Sequence, residues 1–219
     1  MTRPDTPPMH QANSVYYPGA LHDFACIPYF MEELGTTQFY FTDYHPEAGN
    51  QQKLTEALSH MEIVSQEALT PRHFEQESWE QFWPANPESR EHISPHHAGG
   101  QRFILKSKSG KECTLDYLCT EAVKTYEIIT RHCGKLNVIV LQDHGFGGNW
   151  GYFGAPNDNH PLSPELYNAA VKHGVPEYIF CTREGEGNTE AWPNYNLIPE
   201  LHLVSDMKQS DRFLWQKGN

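Results

Sequence analysis

Between Ser14 and His45 the apolar positions change their period twice. Val15 to Tyr17 is a run of β-formers closed by Pro18-Gly19, the pattern of a strand entering a turn. Phe24, Ile27, Phe30, Met31 and Leu34 then recur at helical spacing, and Gly35 fits the position just past a helix end. Gln38 to Thr42 returns to β-rich sequence and stops at Asp43. The stretch predicts strand, turn, helix, strand.

The same alternation continues downstream. In Asn50 to Leu69 the residues Leu54, Leu58, Met61 and Val64 (or Ile63) predict one amphipathic helix. Residues 70–100 break the pattern with Pro71, Pro84, Pro87 and Pro95 and read as an irregular insertion or lid. Trp79, Phe82 and Trp83 there predict a helical turn plugged onto the body. Arg102 to Lys108 and Glu112 to Leu118 flank Ser109-Gly110-Lys111 as a hairpin, and Thr120 to Arg131 reads as a helix. Leu136 to Leu141 is apolar except for Asn137, with the unbroken run Val138 to Leu141, as a parallel strand covered on both faces is. Ser163 to Gly174 predicts a helix, Glu177 to Thr182 a buried strand, and Leu201 to Val204 with Arg212 to Trp215 closing strands. The fold class expected is α/β: a Rossmann-like three-layer fold with a mostly parallel central sheet, antiparallel closing strands and the irregular insertion. Residues 1–13 form a loose arm and 14–219 a single domain.

Composition narrows the partners. Of 219 residues, 28 are Asp or Glu and 16 Lys or Arg, a formal charge of -12, which argues against duplex nucleic acid, whose phosphates need clustered cations. The five cysteines are scattered with no CxxC pair, as expected of reduced thiols; Cys26 and Cys119 read as helix-face residues. No apolar leader or membrane-length run is present, so a cytoplasmic protein with no membrane partner is expected. The sequence sets no oligomeric state.

Open parallel sheets collect ligands beyond the carboxyl ends of their strands. The first strand delivers Tyr17, Pro18, Gly19 and Ala20, then His22 and Asp23. The second delivers Asp43, Tyr44 and His45, and the 136–141 strand delivers Asp143 and His144 before a glycine-rich stretch with Gly145 and Gly147. An acid after the second strand suits a ribose hydroxyl, whereas Asp23 also reads as a helix N-cap. Glycines 145 to 154, interleaved with Trp150, Tyr152 and Phe153, suit a flat ring lying against backbone. No Walker A sequence follows and no Lys or Arg lies between 136 and 171, so a small-molecule ligand with few or no phosphates is expected. No GxSxG elbow and no HExxH is present, and a bound metal is not expected.

The runs VYYPGALHD and FYFTDYH, with a buried strand entering a glycine-rich loop, resemble the Rossmann-like, S-adenosylmethionine-dependent methyltransferase superfamily. More narrowly they resemble bacterial proteins with a YPG turn after the first strand. The resemblance covers residues 14–45 and, more loosely, 136–182. It implies that Tyr17 to Ala20 and Asp43 hold S-adenosylmethionine; Asp143 or His144, at the end of the 136–141 strand, is then the expected general base. YPGALHD has one glycine where the superfamily's turn has two or three, and no Asn/Asp-Pro-Pro-aromatic motif follows the 136–141 strand. Two alternatives stand beside the methyltransferase reading. One is a metal-dependent hydrolase joining Asp23, Asp43, Asp143 and His144 on one divalent ion. The other is a non-catalytic ligand- or protein-binding module of degenerate Rossmann fold.

Overall fold

A computed structural model describes residues 13–45, 47–83, 98–133, 136–141, 178–182, 201–207 and 212–217. Among these residues the chain is α/β, with one nine-stranded sheet and helices on both of its faces. In chain order the elements are β1 (Ser14–Pro18), α1 (Ile27–Glu33), β2 (Gln38–Thr42), α2 (Gln51–Ala57), β3 (Glu62–Ala68) and β4 (Gly99–Lys106). Then follow β5 (Glu112–Cys119), α3 (Ala122–Cys133), β6 (Val138–Leu141), β7 (Tyr178–Thr182), β8 (Leu201–Met207) and β9 (Arg212–Lys217).

The strand order is β3-β4-β5-β2-β1-β6-β7-β9-β8. The five central strands, β5 to β7 in that order, are mutually parallel. The flanking pairings β3–β4, β4–β5, β7–β9 and β9–β8 are antiparallel. The centre of the sheet is thus parallel and its closing strands antiparallel, as the sequence predicts, within a sheet that is mixed as a whole. The hairpin on the β5 side contributes to the mixture: its short turn leaves no room for a crossover, so β4 must run against β5.

Side-chain alternation sorts the two faces. Val15, Tyr17, Phe39, Phe41, Leu115 and Tyr117 point to one face and bury against Ile27, Phe30, Met31 and Leu34 of and after α1 and Leu54 and Leu58 of and after α2. Tyr16, one residue out of that register, points to the other face, where its ring meets Tyr126 of α3 edge-on at 5.4 Å. Its hydroxyl donates to the Ala122 carbonyl. α1 and α2 thus cover one face and α3 the opposite one. The chain changes face where it leaves β5 and returns through α3 to β6, on the far side of β1.

Three local predictions are corrected. The helix expected over Asn50 to Leu69 ends at Ala57, and 62–68 is strand β3, paired with β4. Leu58 and Met61 fall at helical spacing yet belong to the turn between the two elements, where the Met61 N–H donates to the Leu58 carbonyl (2.9 Å). Neighbouring Ile63 and Val64 are β-branched and favour the strand. The insertion is not irregular throughout: Pro71–Phe74 and Trp79–Phe82 are 3₁₀ turns, and β4 begins at Gly99 rather than Arg102. Phe74 packs on His132 at the end of α3, and Phe82 and Trp83 are buried, the plug that the aromatic spacing predicts. Cys119 lies at the end of β5, not on a helix. The helix expected over Ser163 to Gly174 lies outside the described residues.

Candidate functional site

Two loops meet where β1 and β2 end. Gly19 has φ +68°, a conformation open to glycine, and this bends the chain so that the N–H groups of Gly19 and Ala20 both donate to the Thr42 carbonyl (2.7 and 3.2 Å). The next N–H, of Leu21, donates to Asp43 Oδ2 at 2.9 Å, while the His45 N–H donates to Asp43 Oδ1 at 2.7 Å. The Asp43 N–H itself donates to the Leu118 carbonyl of β5 (3.0 Å). The carboxylate therefore clamps the β1 loop to its own loop, and the Asp43 backbone ties both to the β5 end. Each oxygen keeps a second lone pair for a further donor.

Asp43 is half-buried, and burial holds its pKa above the usual carboxylate range. The two backbone donors and the nearby His45 and His22 oppose that rise without cancelling it. Below Asp43 lies Tyr117, whose hydroxyl donates to the Leu21 carbonyl and whose pKa is pushed far up by burial and by the Asp43 charge. Cys119 is buried beside the same carboxylate, and its thiol is pushed up to about 12, so it is protonated and inert near neutrality.

Asp23 does not cap α1. The helix starts at Ile27 with Cys26 at its N-cap and no side-chain cap. Asp23 Oδ1 instead accepts the Ala25 N–H (3.1 Å), a local Asx turn, and Oδ2 accepts the Tyr17 hydroxyl (3.1 Å). Tyr17 thereby fixes the far end of the loop that Asp43 fixes at its start. Tyr17, Pro18, Gly19, Ala20, Asp23 and Asp43 are brought to one edge of the sheet. Asp143, His144, Gly145 and Gly147 follow β6 in the chain and lie outside the described residues.

Two contributors escaped the sequence reading. Glu121 precedes α3 and its carboxylate accepts the N–H groups of Val123 and Lys124, both at 2.7 Å, so the helix N-terminus at this edge is filled by the chain's own anion. An acid beside Thr120 was a legible cap signal. Tyr117 carried no signal, since its role depends on which strand lies beside β2. The edge is acidic: Asp23, Asp43, Glu47 and Glu121 stand against Lys53, which pairs with Glu47. Among the described residues no three His, Cys, Asp or Glu side chains are arranged to hold a metal ion. No helix among them is long and apolar enough to cross a membrane. No protein-family model matches the chain, and no curated protein sequence does so either.

Proposed function

We propose that this protein binds an adenosyl- or nucleotide-type small molecule at the edge formed by the ends of β1 and β2, as a Rossmann-like, methyltransferase-like protein does. S-adenosylmethionine is the cofactor that fits best, and methyl transfer is the reaction. The observation that carries the reading is the order β5-β2-β1-β6-β7 with helices on both faces. It is the doubly wound order 3-2-1-4-5, in which ligands bind outside the strand ends beside the first strand, where the order reverses. Residues of the β1 loop and Asp43 stand at that point. The final strand, β9, runs in reverse between β7 and β8, an antiparallel finish to the parallel centre.

Charge supports the ligand class. The acids at the edge disfavour a pyrophosphate, and the N–H groups of Gly19, Ala20 and Leu21 are already committed to Thr42 and Asp43. A sulfonium-bearing nucleoside without phosphates meets neither obstacle. If S-adenosylmethionine is the cofactor, its ribose hydroxyls would meet the remaining lone pairs of Asp43. Asp143 and His144, next in sequence after β6, are our assignment for the general base.

Titration calorimetry with S-adenosylmethionine, S-adenosylhomocysteine, NAD and ATP, with and without Mn or Zn, tests the reading. Binding of the two adenosyl compounds, weakened in Asp43→Asn, is the expected result. A folded protein silent across the panel overturns it. The single glycine of the first turn and its self-satisfied backbone favour a second reading, a degenerate Rossmann module that binds without turnover. Adenosyl binding with no methyl transferred from the bound cofactor to protein, nucleic-acid or small-molecule acceptors would select that one.

A further inference from the structure

We infer that His22 is a further ligand-recognition residue of this edge, its Nε2 hydrogen-bonding one hydroxyl of a vicinal diol whose other hydroxyl donates to Asp43. The inference rests on the ribose role proposed for Asp43 and names the second half of that recognition.

His22 Nε2 is buried and has no hydrogen-bond partner. Buried polar atoms are nearly always paired, and one left unpaired is a standing cost to the fold. The backbone around it is unusually constrained. Leu21 has φ +41°, a left-handed conformation rare for a leucine. It is held there by its N–H on Asp43 and by Tyr117 on its carbonyl. On the other side the Asp23 N–H donates to the Ala20 carbonyl, and both Asp23 oxygens are engaged by Ala25 and Tyr17. Strain and an orphaned nitrogen on adjacent residues, at a strand end, are the combination that functional sites retain. The imidazole is also near enough to Asp43 and Glu47 for its charge to favour the ionised form of both.

His60 Nε2 is orphaned too, but it lies in the turn before β3, at the opposite edge of the sheet, with Nδ1 on the Ala57 carbonyl. His22 instead follows Leu21, whose N–H is held by Asp43, a carboxylate with spare lone pairs. Nε2 is buried in the described conformation, and a ligand hydroxyl would give it the partner it lacks. Adjacent hydroxyls suit such a pair: one donates to the carboxylate and the other accepts from the imidazole N–H.

Calorimetry on the full chain with S-adenosylhomocysteine, adenosine, 2′-deoxyadenosine and 3′-deoxyadenosine tests this, using wild type, His22→Phe and His22→Gln. Wild type should prefer the intact diol. His22→Phe should bind the diol compounds about ten-fold more weakly, with little discrimination left against the deoxy analogues. His22→Gln, whose amide nitrogen replaces Nε2, should stay within about three-fold of wild type. His22→Phe should melt no lower than wild type, because it removes an unpaired polar atom. The inference is overturned by His22→Phe binding like wild type, by His22→Gln falling as far as His22→Phe, or by a His22→Phe melting point well below wild type. Wild type that binds the diol and deoxy compounds equally, or binds none of them, overturns the ribose reading itself and this inference with it.

Discussion

Replacing Asp43 by alanine cuts the tie between the loop after β1 and the loop after β2. Two N–H groups, of Leu21 and His45, lose an ionised acceptor at 2.9 and 2.7 Å. Hydrogen bonds to charged groups contribute about 1.5–3 kcal/mol each; Asp43 is only half-buried, so the lower figure applies and the pair contributes about 3 kcal/mol. Relief of the carboxylate's desolvation opposes this, which leaves a net loss of about 2 kcal/mol. For a chain of this length that is a melting-point drop of about 4–8 °C. Asp43→Asn keeps one acceptor oxygen but turns an NH₂ toward the other N–H, and should lose about 1 kcal/mol. Burial raises the folded pKa of Asp43 above 3.8, so the native state takes up this proton at a higher pH than the unfolded chain does. Stability attributable to the group then rises as pH falls through the folded pKa toward 3.8. The gap between wild type and Asp43→Asn should widen over that window. Urea unfolding of the three proteins at a series of pH values measures both effects. An Asp43→Ala variant within about 0.5 kcal/mol of wild type at pH 7 would refute the clamp. A gap that narrows on acidification would refute the assigned direction of the pKa shift.

Three further predictions concern the frame around the edge. A Cβ on Gly100 would stand 2.9 Å from the Tyr117 carbonyl oxygen and 3.1 Å from the Leu69 side chain. Gly100→Ala should therefore destabilise by about 1–3 kcal/mol in thermal or urea unfolding, through overpacking where β4 meets β5. Asp116 is buried and bidentate with Arg102 (2.7 and 3.0 Å), so Asp116→Ala should cost about 3 kcal/mol, whereas Arg102→Met with Asp116→Leu should stay near wild type. A double-mutant cycle separates these outcomes. Glu121→Ala removes the acceptor of two N–H groups at the start of α3 and should cost about 1 kcal/mol, read from the urea midpoint at constant m.

Period and punctuation were enough for the sequence to determine most elements. The runs at 14–18 and 38–42, the helix broken at Gly35, the hairpin about Ser109-Gly110 and the aromatic plug at 79–83 all rest on near neighbours, and each is where its local pattern puts it. The candidate edge was legible to the same extent, because Gly19 and Asp43 announce a turn and a strand end without help from distant residues. β3 was not legible: Leu54, Leu58 and Met61 keep a helical period across a turn, and only pairing with β4 makes 62–68 a strand.

Tertiary structure alone decided what meets what. The order that inserts β9 between β7 and β8 depends on edges choosing partners more than a hundred residues from β1. Whether Asp23 caps a helix or receives Tyr17, and whether the Asp43 oxygens are open or clamped, turned on backbone groups brought together by that order. The orphaned nitrogen of His22 has the same origin. Local sequence fixes the conformation of a segment because its hydrogen bonds close within a few residues. Satisfaction of a buried polar atom is set by whichever segments pack around it, and that is a property of the whole fold.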